Sequence, residues 1–337
     1  TLLWGSTVGL FTLGNAIALA IGAYLWNRNA ITIGTVYLLF YYATLLQDPI
    51  ERIREELEQF QQAIASLQRI QDLLSYQSQL HPGGQAVLPD GPLSVEFDEV
   101  WFGYDPSTYT LRNLTFHLPA GQILGLLGHT GSGKSTLARL LLRLYDIQRG
   151  QIRLGGINIA EVPLGELPHH VGFVTQDVQL FQTTVRNNLT FFNAHIPDGA
   201  ILQTLEELGL MPWLEALPQG LDTELGSDSG GLSAGQAQLL AFARVFLKNP
   251  GLVVLDEASS RLDPQTEQLI EQAVARLLEN RTGIIIAHRL KTVERADQIL
   301  MLAQGQVVEY GDRAALANDP QSRFAQLSAM GTPSPIA

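Results

Sequence analysis

Only one charged side chain, Arg28, occurs in the first 47 residues. That scarcity limits the folds open to this chain more than any other feature. Uncharged apolar stretches lie on either side of Arg28, over residues 2–26 and 30–47. A bilayer core of about 30 Å needs roughly 20 apolar residues in a helix, and a charge at its centre costs about 2.5–3.5 kcal/mol. The two stretches therefore predict two membrane-spanning helices joined by a short turn around Arg28. Trp4, Tyr24, Trp26, Tyr41 and Tyr42 fall near their ends, where interfacial aromatics concentrate. A buried hairpin in a soluble core is the competing reading. A cleaved signal peptide is disfavoured, because no basic segment leads the apolar run and the run is doubled. Asn15, mid-span, suits an interhelical hydrogen bond better than a polar pathway. With Thr1 already inside an apolar run, the chain is read as the C-terminal piece of something longer.

Beyond Pro49 the pattern changes. Ile53, Leu57, Phe60, Ile64, Leu67, Ile70 and Leu74 recur every three or four positions, one stripe of a helix, with Arg52–Glu56 and Arg54–Glu58 as i,i+4 pairs on its other side. This predicts the second span continuing as a cytoplasmic extension to residue 80. Residues 81–92, HPGGQAVLPDGP, hold three prolines and three glycines; they cannot continue a helix and read as a linker. From 93 to 337, short apolar strands alternate with helical segments, the pattern of an α/β domain. Charged residues make up 16% of the whole, against about 25% in an ordinary soluble chain, which agrees with part of it lying in lipid. The balance of 21 Lys and Arg against 33 Asp and Glu, net −12, argues against a nucleic-acid binder, which needs a basic face. Without cysteine there is no disulfide, thiolate metal site or Cys nucleophile.

The chemistry-bearing motifs all fall in the α/β part. GHTGSGKST at 128–136 follows the apolar run 122–127 and precedes a helical run, so it satisfies GxxxxGK[ST] in the context that gives the pattern meaning. Glycines at 128, 131 and 133 let backbone N–H groups close on phosphate oxygens. The helix N-terminus adds its dipole, Lys134 reaches the β- and γ-phosphates, and Ser135 offers a hydroxyl to Mg²⁺. His129, Thr130, Ser132 and Thr136 complete the phosphate-loop set. Beginning 118 residues after Lys134, Leu252-Val-Val-Leu-Asp256-Glu257 reads as an apolar strand ending in two carboxylates. Asp256 is placed to hold Mg²⁺, and Glu257 to accept a proton from attacking water. Between the two motifs, LSAGQ at 232–236 opens a helical run; Ser233 can act as its N-cap, and Gly235 keeps the backbone open to an anion.

In this order and context the motifs resemble the ATP-binding-cassette (ABC) transporters of the exporter type, whose membrane helices precede the nucleotide-binding domain on one polypeptide. The resemblance covers essentially the whole chain and implies an α/β P-loop ATPase domain over 93–337, preceded by the last two of six membrane helices. LSAGQ is similar to the family's LSGGQ signature with Ala234 in place of its first glycine, so Ser233, Ala234, Gly235 and Gln236 are expected to face ATP. By the same resemblance Tyr104 stacks on adenine, Gln176 links Mg²⁺ to the membrane part, Asp263 contacts the opposite subunit, and His288 positions the γ-phosphate and water. Residues 223–228, TELGSD, resemble the segment before the exporter signature but depart at Ser227-Asp228 from its acidic-basic pair. His169 and His170, lacking companion ligands, are assigned no metal.

The resemblance implies an ATPase that uses ATP and Mg²⁺ and works as a dimer with a second copy or a homologous half-transporter. One domain then supplies Lys134, Gln176, Asp256, Glu257 and His288 while its mate supplies Ser233 and Gly235. It further implies ATP-driven export of an unspecified substrate from a multi-pass protein of the cell membrane, a bacterial inner membrane by expectation, with the nucleotide-binding domain cytoplasmic. A soluble ABC ATPase acting on DNA or ribosomes would lack the apolar runs and carry basic surface. An importer would keep its ATPase on a separate chain. A nucleotide-gated channel is the remaining rival, separable by uptake of a labelled substrate against a gradient.

Overall fold

The computed structural model describes residues 2–76, 80–105, 107–175, 178–225, 232–256, 264–287 and 290–329. The chain divides into two compact units between Ser78 and Gln79. The first unit contains α1 (Leu2–Asn27), α2 (Ile33–Leu45) and α3 (Gln47–Ser75). Within α1, Gly9–Asn27 is long and apolar enough to cross a membrane. The turn after α1 places Asn29 at φ +54°, a conformation Asn tolerates better than most residues, and Thr32 caps α2 by accepting from the N–H of Thr35. Gly22 is buried, and a Cβ there would lie 2.9 Å from Val36 Cγ1. Its small size sets the approach of the two helices.

The second predicted span is shorter as a helix than its sequence suggested. α2 has 13 residues, about 20 Å of helix at 1.5 Å per residue. The break has a chemical cause, since Pro49 has no N–H to give the carbonyl four residues back. Leu46 nonetheless keeps right-handed helical angles, its N–H donates to the Tyr42 carbonyl at 3.2 Å, and Ile50 N–H donates to the Leu46 carbonyl at 3.4 Å. The backbone therefore passes from α2 into α3 with one irregular turn. On α3 the stripe from Ile53 to Leu74 is exposed, and Arg54 pairs with both Glu51 and Glu58.

The second unit is built on two sheets. Its strands are β1 (Val95–Phe102), β2 (Leu111–Leu118), β3 (Ile123–Gly128), β4 (Arg149–Leu154), β5 (Ile157–Asn158), β6 (Val171–Val174), β7 (Leu252–Asp256), β8 (Thr282–Ile286), β9 (Gln298–Ala303) and β10 (Gln306–Asp312). An antiparallel sheet has the order β2-β1-β4-β5, and a six-stranded sheet the order β10-β9-β3-β8-β7-β6. In the latter β3, β6, β7, β8 and β9 run parallel and β10 antiparallel.

A parallel strand covered on both faces reads as an unbroken apolar run, because neither side meets water. Leu252 and Val254 of β7, with Ile284 and Ile286 of β8, pack toward the antiparallel sheet and its stacked Phe97 and Phe116. The alternate residues Val253, Leu255 and Ile285 pack on the opposite face against Leu239 and Phe242 of the helix Ala234–Lys248 and Ile270 of the helix Pro264–Leu278. This three-layer α/β arrangement is the fold that the motif order predicts.

Residues 81–92 are strapped down rather than loose. Arg143, buried just beyond α4 (Lys134–Leu141), donates to the carbonyls of His81, Ile159 and Val162 at 2.9–3.1 Å and to Asp146 Oδ1 at 3.0 Å. His81 N–H donates to Asp146 Oδ2 at 2.9 Å. Burial pushes the Asp146 carboxyl up, but the hydrogen bonds from His81 and Arg143 outweigh it and hold the group below the usual carboxylate range. A depressed carboxylate stabilises the fold above its unfolded-state pKa, so this clasp is complete at neutral pH and loosens as acid protonates it. Arg143→Ala leaves three carbonyls and a carboxylate without their donor. It should cost about 3–5 kcal/mol, read as a fall of about 10 °C in the thermal midpoint.

Candidate nucleotide site

β3 delivers the chain to the phosphate loop, and the loop's glycines are required by its shape. Gly128 has φ +151°, and a Cβ on it would sit 2.3 Å from the Leu302 carbonyl oxygen of β9. Gly133 (φ +106°) is the N-cap of α4 in a left-handed conformation, with Leu111 where a Cβ would go. Gly131 (φ +80°) is different, for a Cβ there would meet nothing within 4 Å; its backbone faces open space. The result is a depression of about 250 Å³ lined by Thr110, Thr130, Gly131, Gly133, Lys134, Ser135 and Thr136. It opens on the first turn of α4, where helix N–H groups lack intrahelical partners.

Lys134 is buried. Its Nζ donates to the Gly128 carbonyl at 2.6 Å and to the His129 carbonyl at 3.0 Å, so the ammonium lies across the loop it has to serve. The loop is braced from behind. Gly305 N–H, in the β9–β10 turn, donates to the Ser132 carbonyl at 3.1 Å, and Arg112 N–H donates to the Gly305 carbonyl at 2.8 Å. The Ser132 hydroxyl is buried in this rear wall without a hydrogen-bond partner. Gly128, His129 and Ser132 thus shape the loop without lining the depression.

Tyr104 stands on a rigid platform. The Gly103 N–H donates to Gln148 Oε1 at 2.9 Å, and Gln148 Nε2 donates to the Gly103 carbonyl at 2.7 Å. The Tyr104 ring meets Phe102 and Tyr145 edge-on at centroid distances of 5.0 and 5.1 Å. Its phenol oxygen shares a 3.2 Å hydrogen bond with Thr136 Oγ1 and accepts from Arg139 Nη1 at 3.0 Å. That bond is the main reason the Arg139 guanidinium is held above its ordinary value.

Asp256 ends β7. It is in register with Ile286, which pairs with Leu126 of β3, so the carboxylate stands one strand removed from the strand that feeds the loop. Ser233 caps the helix Ala234–Lys248 through a reciprocal box. Its hydroxyl accepts from Gln236 N–H at 3.2 Å, and Ser233 N–H donates to Gln236 Oε1 at 2.9 Å. Gly235 is buried at the helix start, and Ala234 is exposed. None of residues 233–236 lines the phosphate depression. Gln176, Glu257, Asp263 and His288 lie outside the described residues, as do Ser227 and Asp228.

Two residues at the site escaped the sequence reading. Thr110 carries no motif and is recognisable only once β2 is placed. Arg139 lies three residues after Thr136, the spacing that puts two side chains on one helix face, but the phenol it holds is 35 residues away.

The profile of the family described as ABC transporter matches residues 111–260. Among curated relatives, the ABC transporter ATP-binding protein YfiC of Bacillus subtilis is 37% identical over 298 residues, 88% of this chain and 49% of the relative. An ATP-dependent lipid A-core flippase of Alcanivorax borkumensis is 36% identical over 287 residues, 85% of this chain and 49% of its own. The chain therefore spans about half the length of the curated relatives it matches. Among solved structures, a bacterial Atm1-family ABC exporter with ATP bound superposes with a TM-score of 0.72 and 32% identity, covering 97% of this chain and 57% of that one.

Proposed function

Because the chain belongs to the ABC transporter family and has exporter relatives along most of its length, we propose that it hydrolyses ATP to drive export of a substrate across a membrane. The observation that carries this reading is the phosphate loop itself. A glycine whose backbone faces open space, a buried lysine and the first turn of a helix converge on one depression. Phosphoryl transfer is catalysed chiefly by positioning and by donors aimed at developing charge, and these are the groups that do it.

In this reading the loop N–H groups and Lys134 cradle the β- and γ-phosphates, and the Tyr104 ring stacks on adenine. The oxygens of Ser135, at the depression, and Asp256, at the end of β7, are the hard donors Mg²⁺ prefers. Bound there, Mg²⁺ would neutralise charge on the phosphate oxygens. Gln176 would add a further ligand to the ion, Glu257 would take the proton of the attacking water, and His288 would orient that water and the γ-phosphate.

The signature segment supports a two-subunit site, since residues 233–236 are absent from the lining of their own chain's depression. Ser233, Ala234, Gly235 and Gln236 of one copy, with Asp263, then close over ATP held by the other. ATP favours the closed pair because only that state makes both sets of contacts. α1 supports membrane insertion, and the passage from α2 into α3 supports a second crossing. The cytoplasmic side is assigned to the α/β unit because that is where ATP is supplied.

Phosphate release measured against chain concentration tests the shared site. At low concentration the initial rate should rise with the square of the concentration, becoming linear once pairs form. A rate per chain that stays constant where the chain is monomeric would sink the proposal.

A further inference from the structure

The side chain of Tyr104 is held at its ring edges and at its tip. Its own loop is fixed by Gln148, which engages both the N–H and the carbonyl of Gly103, and Phe102 and Tyr145 meet the ring edge-on. The ring is 46% exposed, which leaves room for a flat ligand. The Phe102 and Tyr145 rings limit its rotation, and the phenol oxygen, held by Thr136 and Arg139, aims its long axis. Thr136 lies on the first turn of α4 and lines the phosphate depression, and Arg139 follows one turn later on the same face. The helix that receives the phosphates therefore also orients the aromatic that receives the base.

We propose that Arg139 is a positioning residue of the nucleotide site. It anchors the Tyr104 phenol to α4 and so aims the ring on which the base stacks, at a fixed offset from the phosphate cradle. This rests on the reading that Tyr104 stacks on adenine. Arg139 is exposed and plays no part in the core, so its removal leaves the fold intact. Its contribution is preorganisation, a tyrosine already at the right angle before the ligand arrives.

A competing role for an exposed arginine near a triphosphate is simple charge attraction, and the two roles differ in what they respond to. Binding of ATP and of inorganic tripolyphosphate is compared by calorimetry for the full chain, Arg139→Ala, Arg139→Lys, Tyr104→Phe and the Arg139→Ala/Tyr104→Phe double variant. Arg139→Ala should weaken ATP about fivefold, the scale of one net hydrogen bond, while tripolyphosphate affinity stays within about twofold because that ligand has no base to stack. Tyr104→Phe keeps the ring and loses the anchor, so it should lose a similar amount. The double variant should be no weaker than either single one, the signature of two groups acting through one contact. Arg139→Lys, still a donor, should recover part of the loss.

Equal weakening of ATP and tripolyphosphate by Arg139→Ala would identify charge attraction and overturn the proposal. Additive losses in the double variant, or unchanged or tighter ATP binding by Arg139→Ala, would overturn it as well. A full chain that bound tripolyphosphate but gained nothing from the base would refute the stacking reading on its own, and one that bound neither ligand would refute the nucleotide site.

Discussion

Glu257→Gln should lower steady-state ATP hydrolysis by about 10²–10⁴-fold while leaving ATP affinity within about twofold. Gln keeps the size of the side chain but cannot accept a proton from the attacking water, so the loss falls on the chemical step. The neighbouring Asp256 is the last residue of β7, in register with Ile286 and through it with Leu126 of the strand that leads into the phosphate loop. Glu257 is the next residue along. If nucleotide holds the paired state together, as proposed, and is no longer consumed, ATP-bound dimers should accumulate. Phosphate release and size-exclusion chromatography in the presence of ATP measure both effects. An unchanged hydrolysis rate would remove Glu257 from the role of base.

Lys134→Ala should fail at an earlier step. Its ammonium is buried against the Gly128 and His129 carbonyls, and truncating one partner of a buried charged contact typically costs about 2–5 kcal/mol. ATP affinity should accordingly fall by about 30-fold to 5,000-fold, with hydrolysis lost as a consequence. Lys134→Arg should not rescue it, since a planar guanidinium cannot replace a compact ammonium in a loop this closed. A fluorescent-nucleotide titration reads the loss, and ATP should no longer raise the thermal midpoint as it should for the unaltered chain. The two variants separate binding from turnover: Glu257→Gln should retain nucleotide and hydrolyse it far more slowly, whereas Lys134→Ala should bind it far more weakly.

Much of this was legible because the informative features are local. A six-stranded sheet covered on both faces writes its strands as continuous apolar runs, as in 252–255 and 283–287. The phosphate loop advertises itself through glycines whose backbone angles or close contacts exclude other residues. Less visible was anything set by contacts between distant segments. Pro49 ends α2 earlier than the apolar run does, because a missing N–H matters more to a helix than hydropathy. Residues 81–92 have the composition of a loose connector, yet Arg143 fastens their start to the end of the phosphate-loop helix. Thr110 and Arg139 join the site only through pairings that no short motif encodes.

The turn behind the phosphate loop has a further consequence. β3 lies between β8 and β9, and the loop that follows it leans on Leu302 and Gly305, all of them more than 150 residues later in the chain. A ribosome releases the glycine motif long before it has made that support, and contacts between such distant segments form slowly. The nascent α/β unit should therefore carry its most recognisable motif without this rear support until β9 and the turn after it have been made.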